Sequence, residues 1–292
     1  MSLITLILLV IKISIMLSVI AIGLEATFRD TVHLFRRPAL LVRTLFSMNI
    51  VMPAFALLIA LTFNLPPAVK IALVTLSVSP IPPILPKKML KAGGAKAYTI
   101  GLLVTASILS VIFIPLTLNV FEFISKTPMQ MRALDVLKVV LTSILIPLFI
   151  GIAIRAISQP LAEKIVKPVG LVALILLVLS CLPILFTSVR AILTIVGDGT
   201  LLALSAFAII GLIVGHVLGG PEAENRPVLA LATSARHPAV ALAIANANFP
   251  NQKLATALVL VYLVLSAILA APYLNWTKKT LSVTASEKHV EA

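Results

Sequence analysis

The stretch SPIPPILPKKML, residues 79–90, interrupts an apolar segment of about the length that crosses a membrane. It holds four prolines within seven positions, Pro80, Pro82, Pro83 and Pro86. Each proline lacks the backbone N–H that a helix needs, and its ring clashes with the preceding turn. Because no continuous helix survives this density of prolines, the sequence predicts a helix that is broken in its middle.

A second apolar segment is interrupted in a similar way by TSARHPAV, residues 233–240. An arginine at the centre of a membrane helix costs roughly 2.5–3.5 kcal/mol on insertion, so Arg236 needs an explanation. Pro238 is a further predicted helix-breaking residue. Backbone groups freed at such breaks must pair with protein or with water, because lipid offers no partner. Both interrupted segments are therefore predicted to lie inside the protein.

The composition places both segments in an all-α, polytopic membrane protein. Of 292 residues, 60% are hydrophobic and 11% are charged, whereas soluble domains carry roughly a quarter charged residues. Apolar runs of about 20 residues recur along the chain. They predict about nine transmembrane helices, at residues 3–25, 39–62, 71–90, 97–121, 136–156, 169–188, 200–219, 227–248 and 254–275.

The net charge of +13 predicts an orientation in the membrane and does not indicate nucleic-acid binding. Basic residues concentrate in alternate loops and in the C-terminal tail, as expected for cytoplasmic segments. The N-terminus is then predicted outside and the C-terminus in the cytoplasm of a cell membrane. The first span is predicted to be an uncleaved helix, because basic residues follow it. The single cysteine, Cys181, cannot form an internal disulfide.

The two interrupted spans hold matching positions in the two parts of the chain. Each is next to last in its part if the chain divides into four spans followed by five. This pattern predicts an inverted repeat within one transporter domain, with copies at about 1–122 and 136–276 and a tail at 277–292. Interrupted helices at matching positions indicate the binding site of a secondary transporter. No motif for catalysis or for ATP binding occurs, so no enzyme is predicted.

Three stretches resemble the bile acid:sodium symporter family over nearly the whole chain. IMLSVIAIGLEATFRD, residues 15–30, is similar to the family's opening segment. Residues 63–94 and 231–249 resemble its first and second crossover helices. The resemblance implies a core domain with two crossing, unwound helices beside a panel domain. It also implies an organic anion in the crevice between the domains and two sodium ions behind the crossing.

The sequence departs from the family at most positions that would hold sodium. Leu85-Pro86 replaces Ser-Asn, Ala232 replaces glutamate, and Arg236-His237 replaces Gln-Asn. Met48 replaces a glutamine, with Asn49 beside it, and Leu103 replaces a threonine, whereas Thr99 matches a serine ligand. Sodium needs oxygen ligands, so the resemblance implies a divergent member in which sodium coupling is in doubt.

Several side chains remain candidates for the substrate or ion site, each with a structural alternative. Arg236 has three possible roles: an anion-binding group, a fixed charge in place of sodium, or a donor that only forms hydrogen bonds with freed carbonyl groups. His237 is a proton-coupling group or a neutral hydrogen-bonding residue. Lys87 either points inward or snorkels to the interface. The remaining polar candidates are Ser79, Thr233, Ser234, Asn49 and Thr99.

The leading hypothesis is a secondary transporter that moves a small organic anion by alternating access. We expect two half-helix N-termini and Arg236 to make the crossing electropositive. The coupling ion is open between Na⁺, H⁺ and none. One alternative is a conventional sodium/organic-anion symporter, and another is a receptor or sensor on the same scaffold that transports nothing. The bilayer and the anion are the predicted partners, nucleic acid is not, and a monomer is plausible.

Overall fold

A computed structural model describes residues 3–82, 85–125, 133–193 and 199–290. Every regular element in these residues is a helix, as predicted. The α-helices are α1 (Leu3–Glu25), α2 (Phe28–Thr31), α3 (Pro38–Phe46), α4 (Met52–Thr62), α5 (Pro67–Val78), α6 (Leu85–Lys91), α7 (Lys96–Ser125), α8 (Ala133–Val140), α9 (Ile146–Ile157), α10 (Gln159–Leu193), α11 (Leu201–Leu218), α12 (Asn225–Ser234), α13 (Pro238–Asn248) and α14 (Lys253–Val290). Wider π-helical turns join α3 to α4 and α8 to α9.

Helices of this length and composition make the chain a polytopic membrane protein. Four helical segments of the described residues are long and apolar enough to cross a membrane: Pro38–Thr62, Lys96–Ser125, Leu201–Leu218 and Leu254–Leu281. Two shorter apolar helices occur at Pro67–Val78 and Leu141–Ile157. Each predicted span overlaps helix, but the count of nine spans and the orientation of the termini stay predictions.

Both predicted helix breaks are present. The first separates α5 from α6, and residues 79–82 between them have no regular structure. Pro80 and Pro82 lie in this break, and Pro83 lies outside the described residues. Pro86 was predicted to break the helix, but it is the second residue of α6. The first turn of a helix tolerates proline because its N–H groups have no partner within the helix.

The second break separates α12 from α13 and is shorter. Its residues 235–237 are irregular, with extended backbone at Ala235 and His237. Pro238 is the first residue of α13, where its fixed φ angle favours the start of a helix. The proline therefore marks the end of the break, because it starts α13, the second half of the span.

Three helices form a layer of their own: α1, α9 and α10, hereafter the three-helix layer. Gly23 of α1 and Gly151 of α9 lie so close that a methyl group on Gly23 would be 2.9 Å from the Gly151 Cα atom. The Ser14 hydroxyl of α1 donates to the Ala173 carbonyl of α10 at 2.7 Å. The absence of side chains at the two glycines thus lets the backbones of α1 and α9 touch.

The last helix continues well past the predicted end of its span. It runs to Val290 and so includes most of the residues predicted as a tail. Leu281 of this extension packs on the turn between α6 and α7, where Gly93 has a φ of +83°. A methyl group on Gly93 would lie 2.7 Å from the Leu281 Cδ1 atom. The C-terminal helix therefore covers the turn that follows the first broken span.

Glycines of α11 bring the second broken span close to its neighbour. Gly211 and Gly215 face α12, and methyl groups on them would lie 2.7 Å from Ser234 Cα and 2.5 Å from Ala230 Cα, respectively. Small residues at this spacing permit close contact between membrane helices. The position of the second break thus depends on the surface of α11.

We expect the substitution Gly215→Val to lower the free energy of unfolding by about 2 kcal/mol, because overpacking must push α12 away from α11. Thermal unfolding of the purified protein measures the change. The control is Val217→Ile on the same helix, where the side chain is 71% exposed. Equal stability of the two variants would show that α11 and α12 do not depend on this contact.

Candidate functional site

The two helix breaks meet through their backbones. The His237 N–H donates a hydrogen bond to the Pro80 carbonyl at 2.8 Å. The extended backbone of both breaks exposes these groups, since neither takes part in a helix. The breaks that the sequence places about 155 residues apart are therefore in direct contact.

Arg236 links this crossing to a third element. Its Nη1 atom donates to the Ser79 carbonyl at 3.2 Å, and its Nη2 atom donates to the Met48 carbonyl at 3.3 Å. The centroid of the Phe207 ring lies 6.0 Å from the guanidinium carbon, which is at the limit of the range of a cation–π contact. Only 2% of Arg236 is exposed. The guanidinium thus joins both broken spans to the π-helical turn before α4.

Prolines explain why these two carbonyl groups lack helical partners. In the π-helical turn Ser47–Val51, the Met52 N–H donates to the Ser47 carbonyl. Met48 would pair with the next residue, but that residue is Pro53, which has no N–H. The Ser79 carbonyl also lacks a helical donor, because the third and fourth residues after it are Pro82 and Pro83. Arg236 supplies the donors that the prolines cannot.

Ends of both broken spans lie beside Arg236. The N-terminus of α13 begins at its N-cap His237, directly after Arg236, as expected for a half-helix at the crossing. The Ser79 carbonyl that Arg236 binds is at the C-cap of α5, and the carboxyl end of a helix carries partial negative charge. Arg236 itself forms no ion pair within the described residues, and the ion pair of Arg37 with Glu222, at 2.7 Å, is largely exposed. The positive charge of Arg236 is therefore balanced by carbonyl dipoles and not by a carboxylate.

Thr233 and Ser234, at the end of α12, contact neighbouring helices rather than an open space. The Thr233 and Ser47 hydroxyl oxygens are 2.6 Å apart. The Tyr262 hydroxyl donates to the Ser234 carbonyl, while the Ser234 hydroxyl has no partner among the described residues. These contacts hold the second break against α14 and the π-helical turn.

The His237 side chain is fully buried. Neither of its ring nitrogens has a hydrogen-bond partner in the part of the chain that the structure describes. A buried imidazole without a partner favours the neutral form, because burial penalises charge. The structure therefore places His237 at the crossing but shows no group with which it exchanges a proton.

The side chains of three other predicted polar residues do not form hydrogen bonds with Arg236. The Ser79 hydroxyl donates to the Leu76 carbonyl at 2.9 Å, and the Thr99 hydroxyl donates to the Ala95 carbonyl at 2.9 Å. Both hydroxyl groups thus bond within their own helix. Asn49 is half-buried in the π-helical turn, next to the Met48 carbonyl that binds Arg236. None of these side-chain groups contacts the guanidinium.

Lys87 occupies a different place, at the boundary between α6 and the three-helix layer. A side chain on Gly170 of α10 would collide with the Lys87 ammonium nitrogen and would contact Ala21 of α1 at 3.9 Å. Lys87 is half-buried. In the described residues it forms no ion pair. The space left by Gly170 therefore holds an ammonium group that has no ion-pair partner among the described residues.

Four residues of this region were not predicted from the sequence. Ser47 pairs with Thr233, and Phe207 and Tyr262 pack together with ring centroids 5.7 Å apart beside Arg236. Gly170 receives Lys87. Tyr262 had a usable signal, because a tyrosine inside a membrane span needs a partner for its hydroxyl. The others are ordinary residues of apolar helices and carry no such signal.

The substitution Tyr262→Phe removes one hydroxyl and leaves the ring in place. We expect a loss of about 1–2 kcal/mol in the free energy of unfolding, because the buried Ser234 carbonyl loses its donor. Tyr273→Phe is the matched control, since Tyr273 bonds His216 in a half-buried position where water can replace it. Thermal unfolding of both variants tests this, and equal losses would contradict a special role for the Ser234 contact.

Comparison with known proteins supports one family. The model of the Sodium Bile acid symporter family matches residues 6–195. The match includes α1, the first break and α7, and it ends before the second break. None of the curated proteins matches the chain. Because the family model covers well over half of the chain, the protein belongs to the sodium bile acid symporter family.

Proposed function

We propose that this protein is a secondary transporter that moves a small organic anion by alternating access, with Arg236 in place of a sodium ion. Membership of the family supports a membrane transporter of the organic-anion kind. The substrate, the coupling ion and the mode of access are our proposal. The nine-span inverted repeat, with core and panel domains, is part of it.

One observation carries the proposal: a buried guanidinium group bonds two carbonyl oxygens that have no helical donors, at the crossing where the family resemblance implies sodium. Two carbonyl oxygens point at Arg236, one of them at the carboxyl end of α5. A sodium ion would need these oxygens and would be repelled by the fixed charge at short range. The nearby substitutions Leu85, Pro86 and Ala232 add no oxygen ligand.

Arg236 is unsuited to binding the transported anion itself. Its side chain is 2% exposed, and each of its Nη atoms donates to a carbonyl group, while Nε has no hydrogen-bond partner among the described residues. An anion would have to enter a closed interior to reach the N–H groups that remain. We therefore assign the anion to Lys87, whose ammonium group lies between α6 and the three-helix layer and has no ion pair in the described residues.

The position of Lys87 fits a transporter with two moving parts. We propose that the three-helix layer is the panel domain and that the broken spans belong to the core domain. The anion would bind where Lys87 approaches Gly170 and would separate the two surfaces as it enters. Rocking of one part against the other then exposes Lys87 to each side of the membrane in turn.

Transport without sodium is the direct test. Purified protein in liposomes, with the membrane potential clamped, would take up labelled cholate or benzoate from external NaCl, KCl or choline chloride. Because no sodium ion takes part, we expect initial rates within about twofold of one another. A pH gradient in the same assay tests coupling through His237. Strict dependence on sodium would support a conventional symporter, and binding without flux would support a receptor.

A variant of Arg236 tests whether the guanidinium takes the place of a sodium ion or whether the protein lacks a sodium site altogether. In Arg236→Ala the freed carbonyl groups should accept sodium, so we expect NaCl to stabilise this variant over KCl by about 1.4 kcal/mol at ten times the dissociation constant. The wild type should show no difference. Arg155→Ala is the control, because Arg155 donates to the Leu24 carbonyl at 3.0 Å within the three-helix layer. Sodium stabilisation of the wild type would contradict the proposal.

Substrate binding at Lys87 makes a separate prediction. We expect Lys87→Gln to raise the KM for the transported anion about tenfold, because a charge-assisted contact is lost, while Lys87→Arg retains most of the affinity. Lys88→Gln is the control on the neighbouring position. Gly170→Val should also raise the KM, since its side chain takes the space of the ammonium group. An unchanged KM in Lys87→Gln would move the anion elsewhere.

A further inference from the structure

A cavity of about 290 Å³ lies outside the crossing, between α4, α5, α7 and the end of α13. Its walls are mostly apolar and include Leu57, Val74, Phe121 and Phe249. Its size is just below the ~300–1,000 Å³ that is usual for pockets that bind small molecules. The cavity is therefore at the lower limit of size for a small ligand, and it lies along α5, the first half of the first broken span.

The cavity contains one cationic side chain. Lys70, near the start of α5, lines the cavity and is half-buried. It forms no ion pair within the described part of the chain. The wall next to it is apolar, with Ile71 and Leu61 as neighbours in the lining. This arrangement offers one end of a ligand a positive charge and the rest a hydrocarbon surface.

We propose that this cavity binds a single-chain amphipathic carboxylate, with the carboxylate on Lys70 and the chain along Val74 and Phe121. Charge complementarity selects the head group, because a buried carboxylate needs a cationic partner. The apolar lining selects the tail, because each buried methylene strengthens binding about three- to fourfold. The site does not share residues with the crossing, so it is independent of the proposed transport function.

The location of the cavity gives the bound molecule a structural effect. Val74 belongs to α5, the first half of the first broken span, whereas Phe121 belongs to α7 and Phe249 follows α13. A ligand here contacts halves of both broken spans at once. It would hold α5 and α13 against α7, so its binding should stabilise the folded protein as well as occupy the cavity.

Photocrosslinking in neutral phosphatidylcholine nanodiscs tests the site. The probe is decanoic acid with a diazirine at the end of its chain, and peptide mass spectrometry locates the label. We expect labelling of the α4 and α7 walls, with competition by decanoate but much weaker competition by decanol. Octanoate should compete about tenfold less well than decanoate, because it has two fewer methylenes.

Four variants assign the contacts. Lys70→Gln should reduce labelling about tenfold, and Lys70→Arg should leave it within about twofold. Leu61→Trp fills the cavity from a side chain that is 58% exposed, so it should abolish labelling without disturbing the interior. Lys138→Gln, at an exposed lysine elsewhere, should change nothing.

Two results would overturn the proposal. Equal competition by decanol and decanoate, with labelling unaffected by Lys70→Gln, would show an apolar groove filled by lipid chains. Labelling that persists at full strength in Leu61→Trp would place the probe outside the cavity. Neither result would bear on anion transport, because the uptake assays do not involve Lys70.

Discussion

The structure of the crossing depends on one buried guanidinium group bonded to two carbonyl oxygens. Arg236 donates to Ser79 in the first break and to Met48 in the π-helical turn. Both carbonyls lack helical donors because prolines follow them at the positions that would supply an N–H. In lipid an unpaired carbonyl costs several kcal/mol. The prolines that break the helices therefore require the arginine, and the buried arginine requires the freed carbonyls.

This mutual requirement changes how a transporter of this kind would be driven. A sodium ion at the crossing binds from one side and leaves on the other, so it couples transport to its own gradient. A covalently held guanidinium supplies the same positive charge but never leaves. If Arg236 replaces the ion, as we propose, the carbonyl groups at the crossing are paired with a positive charge at every stage of transport. Transport would then follow the gradient of the anion itself or that of another ion.

The sequence was sufficient to predict the features that arise from local chemistry. Prolines located both breaks, and hydropathy located the helices, because each effect acts within a few residues. One local detail differed, because Pro86 lies in the first turn of α6, where a helix start tolerates proline. Features that depend on distant contacts were missed, such as the bonds from Arg236 to the Ser79 and Met48 carbonyl groups. The partners Ser47, Phe207 and Gly170 follow only from how the helices pack.

The two central cations differ in what their surroundings allow them to do. A group that binds and releases an anion in each cycle must reach water, because the anion's hydration has to be exchanged for the protein and restored afterwards. Arg236 is sealed among carbonyl groups and a phenylalanine ring, whereas Lys87 is half-buried and lies against another helix layer at a glycine. Burial suits Arg236 to a permanent structural charge. In our proposal, the half-buried position of Lys87 at the boundary with the three-helix layer suits it to reversible anion binding.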